Sequence, residues 1–426
     1  MKNIICFDSW TGGARHYQRL IPALRDHSIR LSLVHISSWG NSLSSPPECN
    51  FGDLLVRDIS YYGNSLEKVI TTEQPDAVIL LSTETFVHRA FMRYCKQNGI
   101  PTLHLSHGVE SVFGQSGNQL GVPKRSKIAH IGYVASKLYK LLTRTLPCYS
   151  KSLIKTGAAF FEWERFTSDI YQLAIGNEPA CVRASADAKA TYSAVYIAAD
   201  AKHAKSCFGY EDNEVFVVGN PDLQFFGFNE EMIGRWSSPE SSANKYVMYI
   251  ETGLSSQATL YAGTSGFVQH LLNTSIALSN QGYKLRLKLK PDQVNTDAII
   301  AGIVGSGIEL VSNDNFLTSL QECVACISET STLALIPALM GMPLLLANYG
   351  DLSTLSFGSV LMNYPRGYFL RNISEVASIL AADSSFSKSK ELRNWIAENA
   401  GPLPFDDMPQ RVVSVVNKMF ATEMLP

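Results

Sequence analysis

Four hydroxyls and a carboxylate stand together at Ser328-Glu329-Thr330-Ser331-Thr332, between an apolar run at 324–327 and another at 333–340. A buried strand that enters a helix through such a turn leaves backbone N–H groups without partners at the helix start. Those groups, the hydroxyls and the positive end of the helix dipole together suit phosphate oxygens. One Ser or Thr there would read as a helix cap; this density favours anion binding. Two neighbouring patterns add to it. Lys284-Leu285-Arg286-Leu287-Lys288-Leu289-Lys290-Pro291 alternates cations with leucine, as a strand with one basic face does, and Pro291 ends it. Lys288 or Lys290 would emerge where a cation neutralises a leaving phosphate, although lysines also protect a solvated edge strand. Glu251-Thr252-Gly253 closes an apolar run. There a carboxylate can accept from a ribose or base while glycine lets the backbone pass close to a ligand.

The first half carries a second set of chemistry-bearing residues, also at the ends of apolar runs. Asp8 closes the first run, and Gly12 and Gly13 behind it permit close backbone approach to a donor. The pattern is not GxGxxG, so a dinucleotide fingerprint is absent. Glu84 lies in Ser82-Thr83-Glu84-Thr85, and His107 in Ser106-His107-Gly108. Chemistry at a hydroxyl nucleophile needs one base to take its proton. Asp8, His107 and Glu84 are the candidates, and each equally suits a capping or hydrogen-bonding role.

Elements must position these residues. Short apolar runs at 3–7, 30–36, 77–82, 102–106, 194–198 and 214–218 alternate with helical spacing at 16–25 and 63–73. The polar stretch 235–244 reads as a linker. A second series follows, with strands at 246–250, 284–290, 308–311, 324–328 and 343–347 and helices at 267–281, 317–322 and 332–340. Strand–helix alternation builds parallel sheets. The expectation is an α/β chain of two Rossmann-like domains, 1–235 and 245–405, with a final helix in 406–426 packing back on the first. At 426 residues two cores are the default. Ligands bind outside the carboxyl ends of such strands, which places them in an interdomain cleft.

Composition narrows the function classes. A net charge of −2 gives no global basic field, so nucleic acid is not an expected partner. The eight cysteines are scattered, and the lone Cys323-Val324-Ala325-Cys326 pair lacks companions for a metal, so no metal site is expected. Reduced thiols suit the cytoplasm. The apolar stretch at the N-terminus is too short for an export signal and reads as a buried strand. Charge is uneven, however: Lys124, Arg125, Lys127, Lys137, Lys140, Arg144, Lys151 and Lys155 occur with no acidic residue between Glu110 and Glu162. This basic insertion, near 120–160, has apolar residues at helical spacing. It suits an anionic membrane surface or a polyanionic acceptor, or else a solvated insertion.

The order Glu-x-Gly, Lys-Pro, then Ser-Thr resembles the bacterial GT-B glycosyltransferases that use CMP-activated acidic sugars, the sialyl- and Kdo-transferase group. Glu251 and Gly253, Lys290-Pro291 and Ser331-Thr332 stand in the positions of its motifs, with Lys290 where that group has histidine. Ser106-His107-Gly108 and Val217-Val218-Gly219-Asn220-Pro221 also look like segments of capsule and surface-polysaccharide transferases. The resemblance implies GT-B architecture and inverting transfer without metal or cofactor. A sugar from a CMP donor would pass to a glycan or lipid-linked glycan acceptor, in the cytoplasm or at the inner membrane surface. The same fold serves UDP-sugar transferases, UDP-N-acetylglucosamine 2-epimerases and polyol-phosphate transferases. A glycan-binding scaffold subunit is the reading from outside enzymes.

Overall fold

Apolar residues that recur without a polar interval form strands buried on both faces, and the central strands of both sheets are of this kind. In the computed structural model the described residues are 1–8, 13–39, 46–108, 139–174, 188–239, 245–253, 261, 263–291, 293–329, 331–347, 358–383 and 390–422. They form two compact units. One comprises described residues of Met1–Gly108, Lys127–Gly219 and Asp406–Pro426, and the other those of Asn220–Phe405. Residues 220–235 therefore group with the second unit. There Gly234 N donates to Leu339 O (2.9 Å) and Trp236 N to Met340 O (3.0 Å).

The first unit holds β1 (Lys2–Asp8), β2 (Ile29–His35), β3 (Glu48–Phe51), β4 (Leu54–Asp58), β5 (Ala77–Leu80), β6 (Thr102–Leu105), β7 (Tyr192–Val195) and β8 (Val215–Val217). Their order is β3-β4-β2-β1-β5-β6-β7-β8, and only the β3–β4 pair is antiparallel. The order reverses between β1 and β5, where Phe7 pairs with Leu80. Phe7, Val78 and Leu80 pack with Phe91, Tyr149, Leu153 and Phe166 in one core. Those partners come from the helices Phe86–Gln97, Leu146–Lys155 and Phe160–Ala174. The last helix of the chain, Met408–Thr422, joins this unit: Arg411 Nη1 donates to Val218 O (3.1 Å) and Lys418 Nζ to Asn213 O (3.0 Å).

The second unit holds β9 (Lys245–Ile250), β10 (Tyr283–Lys288), β11 (Glu309–Leu310), β12 (Cys323–Ser328), β13 (Leu344–Ala347) and β14 (Gly367–Leu370). All are parallel, in the order β11-β10-β9-β12-β13-β14, so the reversal falls between β9 and β12. Val247, Tyr249, Leu285 and Ile327 pack against Phe267 and Leu271 of the helix Gly263–Ser279. Cys323 and Cys326 are buried along β12, as small apolar side chains are. Arg366 is pinned nearby: its Nε donates to Asp383 Oδ1 (3.0 Å) and its guanidinium lies 4.9 Å from the Trp236 ring centroid. No helix among the described residues is long and apolar enough to cross a membrane.

Candidate functional site

Each sheet carries chemistry-bearing residues at the ends of the strands that flank its reversal. In the first unit these are Asp8, at the end of β1, and the Leu81 backbone, just after β5. Asp8 is 2% exposed. Its Oδ2 accepts from Tyr17 OH at 3.4 Å, and burial beside Asp8 holds the Tyr17 phenol far above its ordinary pKa, so it stays a neutral donor. Gly13 is needed here for space rather than for backbone angle. A Cβ at Gly13 would sit 2.7 Å from Asp8 Oδ2. Gly12, expected beside it, lies outside the described residues.

His107 follows β6, and its side chain reaches the surface. Its Nδ1 is 3.0 Å from Leu81 O. A carbonyl only accepts, so Nδ1 carries the proton and Nε2 carries the lone pair. Crowding by protein atoms lowers the His107 pKa from its ordinary value, partly opposed by the Leu81 carbonyl, so the ring is neutral at pH 7. The Leu81 backbone also hydrogen-bonds Tyr17. Asp8 and His107 are thus brought together through Tyr17 and the backbone of Leu81. Glu84 precedes the next helix. It is exposed, immediately before Thr85, whose Oγ1 caps the Phe86–Gln97 helix by accepting from His88 N (3.3 Å). A carboxylate there favours the helix dipole.

Two residues that the sequence reading passed over belong to this site. His16 lies with its ring centroid 6.2 Å from that of His107, edge to face. Burial, Arg19 and His107 lower its pKa to about 4. Ser106 is 1% exposed. Neither Ser106 Oγ nor His16 Nδ1 has a hydrogen-bond partner among the described residues. Ser106 stood in a quoted motif, and a hydroxyl ending a buried strand was the available signal. His16 was hidden inside an apolar helical pattern.

In the second unit several of the expected site residues are buried and turned inward. Glu251 is buried, and its carboxylate is spent on its own chain. Oε1 accepts from Gly253 N and from Gln293 Nε2 (2.8 Å), and Oε2 from Lys290 N (3.2 Å). It ties the turn after β9 to the turn after β10 rather than presenting an acceptor for a ribose. Gly253 has φ +87°, a left-handed value that favours glycine.

Glu329 is 0% exposed. Its Oε1 accepts from Tyr249 OH and Tyr261 OH (both 2.9 Å), and its Oε2 from Thr252 N (3.0 Å) and Thr252 Oγ1 (2.9 Å). Ser328 is buried and donates to Glu329 O (2.6 Å). Both side chains are turned inward: β12 runs through Ser328, and the cage of hydroxyls surrounds Glu329. Ser331 and Thr332 remain half-buried, and Ser331 Oγ accepts from Leu333 N (3.2 Å), the capping role weighed for it. Thr330 lies outside the described residues. The helix behind them is a 3-10 turn, Thr332–Ala334, continued by Leu335–Met340.

The basic strand is likewise only partly as expected. β10 lies between β11 and β9, so it is not an edge. Lys288 is buried instead of emerging. Its Nζ donates to Leu289 O (2.6 Å) and lies 5.7 Å from the Phe226 ring centroid. Burial lowers its pKa to about 8, opposed by Glu251. Lys290 and Pro291 are exposed beyond the strand end. Of the expected phosphate set, Lys290 and Pro291 are thus exposed and Ser331 and Thr332 half-buried.

Glu329 has a measurable signature. Burial, then the nearby Glu251, raise its pKa from 4.5 to about 7, against the Thr252 and Tyr261 hydrogen bonds. An acid whose pKa rises on folding binds more protons folded than unfolded between those values. Stability from this group is therefore greatest below pH 4.5 and is lost as pH rises through about 7. The shift corresponds to about 3 kcal/mol. Urea denaturation at pH 5 and pH 8 should show this loss in the native sequence and a much smaller one in Glu329→Gln. Equal pH slopes in the two proteins would contradict it.

No family model matches this sequence, and no curated protein matches it. Solved structures match the fold along its length. CalG4, the calicheamicin glycosyltransferase, has a TM-score of 0.54 at 12% identity, covering 100% of each chain. The kitacinnamycin glycotransferase gives 0.50 at 12% identity, covering 98% of this chain and 99% of that one. MnaA of S. aureus, solved with UDP, gives 0.50 at 12% identity over 99% and 97%. At such identities the likeness is one of fold. The chain has the two parallel-sheet units of the GT-B architecture, and the comparison lends no support to the CMP-sugar resemblance.

Proposed function

We propose that the protein is a glycosyltransferase that takes a sugar from a UDP-linked donor and passes it to a hydroxyl of a glycan or lipid-linked glycan. The observation that carries this reading is the full-length fold match to two glycosyltransferases; the UDP bound in a third matching structure favours uridine over the cytidine expected from sequence. The first unit supplies the base. His107 is preferred because its ring is accessible, neutral and held in the tautomer with the lone pair on Nε2. Asp8, also a candidate on sequence, is buried behind Gly13 and acts by orienting Tyr17. Ser106 Oγ and His16 Nδ1, buried beside His107, have no hydrogen-bond partner among the described residues.

The second unit binds the donor. Lys290, Ser331 and Thr332 take the diphosphate, and Lys290 opposes the charge that grows as the bond to the sugar breaks. Glu251, Glu329 and Lys288 hold the turns that carry them. Inversion follows from a single base on the acceptor side. The test is a thermal-shift comparison of UDP with CMP. UDP at a hundredfold excess over its Kd should stabilise the protein by about 2.7 kcal/mol, a shift of several degrees. Stabilisation by CMP and not UDP would restore the acidic-sugar reading, and no response to either would favour a glycan-binding scaffold.

A further inference from the structure

The first unit exposes large apolar side chains where its helices turn. Ile154 (70% exposed) ends one helix, and Phe160 (77%) and Phe161 (63%) begin the next, across the turn 156–159. Tyr139 (65%) and Leu142 (55%) lie just upstream in the same segment. This turn is braced. Arg93 donates through Nε (3.0 Å) and Nη2 (2.7 Å) to Thr156 Oγ1 and pairs with Glu162. Gln97 Nε2 donates to Lys155 O (3.1 Å). Three aromatic or aliphatic side chains are thus held out in water on a fixed support, which costs free energy unless something covers them.

Charge says what covers them. Lys151 lies one turn before Ile154 and Lys155 directly after it, both exposed, and no Asp or Glu occurs from 111 to 161, in a chain whose net charge is −2. Glu67 is paired with Lys155 and Glu162 with Arg93. An apolar wedge flanked by lysines is the pattern of a segment lying in the headgroup region of an anionic bilayer. We propose that Ile154, Phe160 and Phe161 insert into an anionic membrane surface, with Lys151 and its basic neighbours against the lipid phosphates. The inference does not depend on sugar transfer.

The experiment is flotation of the purified full chain with vesicles of phosphatidylcholine alone, or of phosphatidylcholine and phosphatidylglycerol in equal parts. Binding should require phosphatidylglycerol and weaken at roughly 0.5 M salt. The double variant Phe160→Ser/Phe161→Ser should bind about tenfold less, and Lys151→Glu should also bind less. Both should keep the native melting temperature, because these side chains are already exposed. Ile276→Ser, at another exposed apolar position (61%), should bind as the native chain does. Equal binding to both vesicles, no binding to either, or full binding by the double variant would overturn the proposal. Self-association abolished by the double variant, without vesicle binding, would also overturn it and make the tip an interface between copies.

Discussion

His107→Ala is expected to lower the rate of sugar transfer by about 10²- to 10⁴-fold, the usual contribution of a general base, while UDP affinity stays unchanged. The two readouts separate because His107 belongs to the first unit and the proposed donor groups to the second. The pH profile gives a second check. Burial lowers the His107 pKa, so the active, neutral form already predominates at pH 7. Turnover should hold through neutrality and fall only as pH drops below about 6.5, the ordinary histidine value. Asp8→Asn keeps the size of the side chain beside Gly13 and should cost less than the loss of His107. An Asp8→Asn variant without turnover, beside an active His107→Ala, would return the role to Asp8.

The largest stability effect is expected at Asp169→Ala. Arg89 is 1% exposed, and its Nη1 donates to Asp169 Oδ2 (2.8 Å) and its Nη2 to Tyr149 OH (2.7 Å). Its guanidinium also lies 4.8 Å from the Tyr149 ring centroid and 5.4 Å from that of Phe86. Removing the carboxylate leaves a charge in the core without its counter-ion, which costs about 3–5 kcal/mol. Urea denaturation would read this directly, and a loss below about 1 kcal/mol would contradict it. Replacing Arg89 and Asp169 together by leucine should cost less than Asp169→Ala alone, because no unpaired charge then remains. The pair joins the Phe86–Gln97 and Phe160–Ala174 helices, so the single variant should also loosen the support of the exposed tip.

Much of the strand pattern was legible because burial and sequence agree. β1 is buried from Ile4 to Asp8, and an unbroken apolar run marks such a strand. β3 was missed for the converse reason: three of its residues are exposed and Glu48, Cys49 and Asn50 give no alternation. The 16–25 helix breaks in two, Ala14–Gln18 and Ile21–Asp26, with Pro22 in the first turn of the second. The strand ends that bear candidate residues were also readable. Which way those side chains turn was not. Ser328 and Glu329 look like part of a phosphate cradle until Tyr249 and Tyr261 are placed beside them. Those partners lie 80 and 68 residues away in sequence. Lys288 and Lys290 differ by two positions, yet one is covered by Phe226 and the other is open to water. Contacts of that range leave no mark on local periodicity.

The outermost strands of both sheets are short. β3 and β14 have four residues, β8 three and β11 two. β3 turns back antiparallel and carries Glu48 in an ion pair with Arg57, and β11 carries Glu309 paired with Arg286. Open backbone at a sheet margin is what lets one chain recruit another by strand addition, and brief, charged margins suppress it. Such a protein should remain dispersed at high concentration, and its partners must recognise side chains rather than borrow its backbone. Helix ends and loops, not sheet margins, are then the surfaces through which it meets the cell.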